Sequence, residues 1–138
     1  EDHNLSQMVW QRLNVLSVVL VEDSSVVRER LVDLLDDEPG VEIVGEYADA
    51  QSAIDGIASA NPDVVLLDIK LGAGSGMQVL NFITQHAPRV KVIVLSNYAE
   101  PQYRSRYLAA GALEVLDKSN EFDRVPALLR ALAEHQPL

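Results

Sequence analysis

The order of hydrophobic patterns along these 138 residues predicts an α/β fold, a doubly wound five-stranded parallel sheet with helices on both faces. Three observations carry that expectation. Continuous apolar runs such as Val64-Val65-Leu66-Leu67 are too short for a helix and read as strands buried on both faces. Between the runs lie segments whose apolar residues recur every three or four positions, the period of a helix with one face inward. The two patterns alternate along the whole chain, which excludes a helix bundle or an antiparallel sandwich.

Residues 1–14 read as an N-terminal extension, with Leu5, Met8, Val9 and Leu13 at helical spacing beside Trp10. A helix so short needs to dock on the domain or on a second copy to persist. The domain proper spans 15–138. Its first strand, Val15 to Val21, ends in Glu22-Asp23, and Asp23 or Ser24 caps a helix that carries Val27, Leu31, Leu34 and Leu35 inward. Asp33, Asp36, Asp37 and Glu38 make its solvated end, and Pro39-Gly40 stops it. Val41 to Tyr47 alternates and so predicts an edge strand with one face less buried. A second helix places Ala53, Ile54, Ile57 and Ala58 on one face and closes at Asn61-Pro62. The central strand, Asp63 to Asp68, opens into a Gly-rich loop, after which Met77, Leu80, Ile83 and Ala87 mark a third helix ended by Pro88. Val90 to Leu95 is the fourth strand, followed by Ser96-Asn97. Pro101 suits the first turn of a helix carrying Tyr103, Tyr107 and Ala110, and Gly111 stops it. Ala112 to Leu116 is the fifth strand, leading into Asp117-Lys118, and Val125, Leu128, Leu129 and Leu132 face inward from the last helix.

Length and 48% hydrophobic residues suit one domain with a real core. A net charge of -10 disfavours direct binding to nucleic acid or to an anionic membrane, because both depend on Lys and Arg neutralising phosphate. Basic protein patches and cations are the partners such a surface favours. The chain has no cysteine, hence no disulfide or thiolate metal site, and no apolar run long enough to span a membrane. A cytoplasmic location is the expectation. The chain also begins without Met, as a trimmed piece would.

In a parallel sheet the carboxyl ends of the strands face the ligand crevice. Glu22, Asp23, Asp68, Ser96 and Lys118 each lie at or just past such an end and converge on one rim. Crowded carboxylates repel unless a cation sits between them, and a hard divalent ion such as Mg²⁺ takes oxygen ligands of this kind. Asp23 and Asp68 suit direct ligation, the main-chain carbonyl of Lys70 a third ligand, and Glu22 a metal-bound water. Lys118, the Ser96 hydroxyl and the N–H groups of Ile69 and Asn97 suit the oxygens of a phosphoryl group, with Asp68 as the nucleophile that forms an aspartyl-phosphate.

In motif order and spacing over residues 15–135, the chain resembles the receiver domains of two-component response regulators. Glu22-Asp23 stands at the family's acidic pair, Asp68 at its phospho-acceptor, Ser96 at its hydroxyl position, Lys118 at its lysine, and Gly76 fits the glycine of the acceptor loop. The resemblance implies a flavodoxin-like sheet of order 2-1-3-4-5, Mg²⁺, and phosphoryl transfer from a histidine kinase, a histidine phosphotransfer protein or a small phosphodonor. It also implies a phosphorylation-driven switch rather than an enzyme, although such a domain catalyses its own phosphorylation and slow dephosphorylation. The protein-binding face would be made by the fourth helix, fifth strand and fifth helix, where a homodimer is possible; Ser96, Tyr103, Tyr107 and Val115 belong to it.

Four positions depart from the family pattern. Glu22 is longer than the commoner Asp, Gly72 replaces a loop proline, and Ser119 replaces the proline after the lysine, so a trans peptide bond is expected there. Val115 replaces an aromatic switch residue and is too small and too stiff at χ1 to alternate between two sites, which moves the switch toward the fourth helix with Tyr103, Tyr107, Arg104 and Arg106. Lys70 and Tyr98, two residues past the acceptor and the hydroxyl, position water poorly and imply slow self-dephosphorylation. Two alternatives stand beside the signalling module. One is the receiver fragment of a longer DNA-binding transcription regulator; the other is an aspartyl-phosphate phosphatase, disfavoured because Lys70 stands where a haloacid-dehalogenase-type enzyme has its second Asp.

Overall fold

A computed structural model describes residues 15–97 and 101–134; the expected N-terminal helix and Tyr98 lie outside them. The elements are β1 (Leu16–Val21), α1 (Ser25–Asp36), β2 (Val41–Tyr47), α2 (Ala50–Ala60), β3 (Val64–Asp68), α3 (Gly76–His86), β4 (Lys91–Ser96), α4 (Pro101–Ala109), β5 (Glu114–Asp117), a 3₁₀ turn (Phe122–Arg124) and α5 (Val125–Glu134). The five strands pair in parallel in the order β2-β1-β3-β4-β5, as expected.

Strand alternation divides the core into two layers. Val19, Val21, Val65, Leu67, Val92, Val94 and Val115 pack with Ala53, Ile57, Val79, Leu80, Ile83 and Tyr107 from α2, α3 and α4. The residues between them in sequence point the other way: Leu16, Val18, Leu20, Leu66, Ile93, Leu95 and Leu116 pack with Leu31, Leu35, Phe122, Val125 and Leu129. All five residues of β3 are buried, whereas β2 alternates between half-buried and exposed residues as an edge strand should. The register of the β1–β2 pair slips between Val18 and Val19, where β2 carries Val44 as an extra residue.

Side chains close the helix ends. The Ser24 hydroxyl, not Asp23, caps α1 by accepting the Val27 N–H, which leaves the Asp23 carboxylate for the rim. Asp49 caps α2, and Ser75 with Gln78 forms a capping box on α3. Asn61 stops α2 in the left-handed conformation at φ 46°. The helical period misplaces two residues: Ala58 is exposed, while Val79, absent from the expected face of α3, is fully buried. The 3₁₀ turn that buries Phe122 has no counterpart in the sequence reading, since three residues carry no periodicity. None of the described peptide bonds is cis.

Gly76 sets how closely α3 approaches β3. Its N–H donates to the Ile69 carbonyl at 2.8 Å. A Cβ there would collide with the main-chain oxygen of Asp68 and stand 3.0 Å from the Cα of Ile69, and backbone cannot swing aside as a side chain can. Alanine is the better helix former by about 1 kcal/mol. Gly76→Ala is nevertheless expected to lower the unfolding free energy by about 1–3 kcal/mol in a urea titration, the usual cost of overpacking. An unchanged or raised midpoint would show that the contact is relaxed at no cost.

Candidate functional site

The rim above the carboxyl ends of β1 and β3 lies where the chain's crossovers reverse direction, the position that opens a crevice in this class of sheet. Asp68 ends β3 and Ser96 ends β4, while Glu22-Asp23 and Lys118 directly follow β1 and β5. All five residues reach this end of the sheet. Carboxylate oxygens of Glu22, Asp23 and Asp68 lie within 4.8 Å of one another.

Burial separates the three acids. Glu22 and Asp68 are 2% and 7% exposed, whereas Asp23 faces solvent. Lys118 joins the buried two, its Nζ contacting Glu22 Oε1 and standing 3.3 Å from Asp68 Oδ2. The other Glu22 oxygen accepts the Ser24 N–H at 3.1 Å. The main chain of Glu22 is held as well, for its carbonyl accepts from Arg28 Nη1 at 2.7 Å and its N–H donates to the Tyr47 carbonyl at 2.9 Å. Burial raises the proton affinity of both Glu22 and Asp68, opposed by the Lys118 ammonium and by main-chain N–H groups of Ser24 and Ile69 respectively.

Three carboxylates and one ammonium leave the rim short of positive charge. The donor set is all oxygen, one member is open to solvent, and the acids are close enough to share one ion; this fits a hard divalent cation such as Mg²⁺. The loop that follows β3 is tied down beside it. Lys70 is exposed and pairs with Ser75 in an isolated antiparallel bridge, and the Ala50 N–H donates to the Ala73 carbonyl at 3.0 Å. Ser96 is fully buried, and its carbonyl accepts the Lys118 N–H at 3.0 Å.

Beside Lys118 opens a cavity of about 300 Å³, walled by Val27 and Arg30 of α1, Asn97, and residues 119, 120, 122 and 123. Arg30 stacks its guanidinium 4.5 Å above the Phe122 ring. Neither residue stood out in the sequence, because the contact joins an exposed helix position to a turn without periodicity.

Away from the rim, Arg104 of α4 reaches the strand that carries Val115. Val115 is buried, and its carbonyl accepts from Arg104 Nη1 at 2.5 Å. Arg104 Nη2 also meets Glu121 Oε1 at 3.3 Å, and Glu121 holds Arg124 at 2.6 Å. Tyr107 is in the core next to this strand, its phenol pushed up by burial and bonded to the Met77 main chain in the first turn of α3. Tyr103 packs half-buried against the same cluster, and Arg106 is exposed. The sequence reading placed Arg104 on this helix but not its contact with Val115, because the partner is a main-chain oxygen.

Comparison with known proteins agrees with this geometry. Residues 18–130 match the family model of the response regulator receiver domain. The chain is 30% identical over 121 residues to the transcriptional regulatory protein DegU of Brevibacillus brevis, covering 88% of this chain and 51% of that protein. It is 33% identical over 98 residues to the DNA-binding transcriptional activator DevR/DosR of Mycobacterium tuberculosis, covering 71% and 45%. It is 34% identical over 106 residues to a protein-glutamate methylesterase/protein-glutamine glutaminase of Leptospira interrogans, covering 75% and 30%. The chain thus spans about half the length, or less, of these relatives. Among solved structures, the receiver domain of NarL from Mycobacterium tuberculosis superposes with a TM-score of 0.80 at 27% identity, over 88% of this chain and 98% of that one. The response regulator domain of Thermotoga maritima CheB gives 0.78 at 27%, over 89% and 99%. Sheet order, rim geometry and a match over most of its length place this chain in the response regulator receiver domain family.

Proposed function

We propose that the chain is the phospho-acceptor module of a two-component pathway and that Asp68 takes the phosphoryl group. The observation that carries this reading is a buried carboxylate at the end of the central strand, 3.3 Å from a lysine ammonium and within 4.8 Å of two further acids. A histidine kinase or histidine phosphotransfer protein presents a phosphohistidine. The phosphorus–nitrogen bond breaks, its electron pair returns to the imidazole, and an Asp68 oxygen bonds to phosphorus. Lys118 leaves Glu22 for the new phosphoryl oxygens, the Ser96 hydroxyl turns toward them, and the N–H groups of Ile69 and Asn97 donate to them. Asp23, Asp68 and the Lys70 carbonyl would hold Mg²⁺, with Glu22 placed beside them; such an ion would supply the positive charge that lets a phosphoryl group sit among carboxylates.

The output runs through α4, β5 and α5. Val115 carries no ring to rotate, so the movable parts are Tyr103, Tyr107 and the Arg104 link from α4 to the Val115 carbonyl. The face they form binds another protein or a second copy of the chain. A second reading has support from coverage: this chain matches only 51% and 45% of two transcription regulators, so it acts as the receiver portion of a longer DNA-binding protein, with nucleic acid contacted elsewhere than on this acidic domain. Catalysis on an external substrate is not part of either reading.

Intact-mass measurement after incubation with Mg²⁺ and acetyl phosphate is expected to show one added phosphoryl group on the natural chain and none on Asp68→Asn. Phosphorylation of the Asn variant would remove Asp68 from its role.

The metal-free protein carries a second signature. Because folding raises the proton affinity of Glu22 and Asp68, the native state holds more protons than the unfolded one between the ordinary carboxylate range, roughly 4, and the raised folded values. Their contribution is full below that interval and is lost as pH rises through it. Asp68→Asn, neutral throughout, should therefore melt about 2–5 °C above the natural chain at pH 7 in chelator, a change of about 1 kcal/mol in a domain of this size. The gap should shrink in acid. A natural chain that melts as high as the variant at pH 7 would contradict the assignment of burial as the dominant effect.

Hydrogen exchange with and without beryllofluoride tests the output. Amides of residues 101–110 and 114–117 are expected to change protection, and Arg104→Ala should weaken that response. Changes confined to the loops after β1 and β3 would count against a switch in α4.

A further inference from the structure

The loop that carries Lys118 lacks the proline that commonly follows this lysine in the family, and the structure shows what holds it instead. The Asp117 carboxylate accepts the Ser119 N–H at 2.7 Å through Oδ1 and the Asn120 side-chain amide at 3.4 Å through Oδ2. The Asp117 carbonyl accepts the Glu121 N–H at 2.8 Å, and the Asp117 N–H donates to Glu121 Oε1 at 3.1 Å. Residues 117 to 121 thus form a turn closed by two side chains, an Asx turn at Asp117 reinforced from the other end by Glu121. Lys118 sits inside it. Its own N–H is fixed on the Ser96 carbonyl at 3.0 Å, and β5 is in register with β4 through the pair Ser96 and Asp117. The donor at Ser119 is the group that a proline would lack, so Ser119 and Asp117 make sense only as a pair.

We propose that Asp117 is the positioning residue of Lys118. Its carboxylate fixes the turn from which the lysine arm extends, so that the ammonium reaches Asp68 and Glu22 without first ordering the loop. Asp117 lies outside the group of acids that share the rim, and it acts on the chemistry only through Lys118. The kinetic consequence rests on the reading of Asp68 as phospho-acceptor; the geometric one does not.

The test uses the full chain, Asp117→Ala and Asp117→Asn, the last keeping a side-chain oxygen that accepts the Ser119 N–H without its charge. In metal-free protein, proton–nitrogen correlation spectra should show a slowly exchanging Lys118 ammonium and a protected Ser119 amide in the natural chain and in the Asn variant. Both signals should be lost from Asp117→Ala. With saturating Mg²⁺ and acetyl phosphate, Asp117→Ala should be phosphorylated roughly tenfold more slowly, and the Asn variant should recover to within about threefold of the natural rate. Melting temperature and Mg²⁺ affinity should stay near the natural values in both. The proposal is overturned if Asp117→Ala keeps the ammonium signal, if Asn fails where Ala fails, or if rate falls only in step with melting temperature and Mg²⁺ affinity. A natural chain that takes up no phosphoryl group would refute the acceptor reading alone, and the ammonium and amide signals would still decide whether Asp117 places Lys118.

Discussion

Glu22, Lys118 and Asp68 form a buried ion triad, and the geometry of the whole sheet is a condition for it. A charged group taken out of water is costly unless its partners are in place, and here the Lys118 ammonium meets both buried acids. The three come from the ends of β1, β3 and β5, so the triad exists only if β4 lies between β3 and β5 and stops at the same height. Ser96, small and buried, ends that intervening strand, and its carbonyl takes the Lys118 N–H. The lysine arm crosses the end of β4 toward the acids. Packing of the two apolar layers fixes strand order and height, and the triad depends on both.

The same dependence runs to the far side of the domain. Gly76 lets α3 press on the main chain of Asp68, and the next residue, Met77, is bonded to the phenol of Tyr107 on α4. From the other direction, Lys118 is joined through Asp117 and Glu121 to Arg104, which also sits on α4 and grips the Val115 carbonyl. Two contact chains therefore leave the rim and meet on one helix. With a valine on β5, no ring on that strand carries a rearrangement outward, and α4 is the element that both chains hold.

The fold and the rim were largely legible in the sequence because both rest on side-chain type. Runs such as Val64 to Leu67 announce buried strands, and an acid, hydroxyl or lysine at a strand end is conspicuous once the strands are assigned. The triad itself was half legible. Glu22 and Lys118 were placed on one rim, but only the folded chain shows that the glutamate reaches the lysine instead of turning toward Asp23. Contacts with main-chain oxygens stayed hidden, as with Arg104 and Val115 or Arg28 and Glu22, since an acceptor of that kind leaves no mark on composition. So did the Phe122 turn and the exposure of Ala58, where a short element or a single helical position is decided by tertiary packing.

Charge counting explains why these particular groups accompany one another. Three carboxylates and one ammonium leave the fully ionised rim at a formal charge of -2 (three negative, one positive), which a divalent cation cancels. On the reading of Asp68 as acceptor, converting its carboxylate to an acyl phosphate replaces one negative charge by about two. The surplus has to be met by Lys118 and by neutral donors, and this is the work of the Ser96 hydroxyl and the main-chain N–H groups around it. The longer arm of Glu22 fits the same accounting. It contacts the Lys118 ammonium at the rim, while Asp23 faces solvent. An aspartate at that position would be one methylene further from the lysine, leaving the ammonium with Asp68 as its nearer acid.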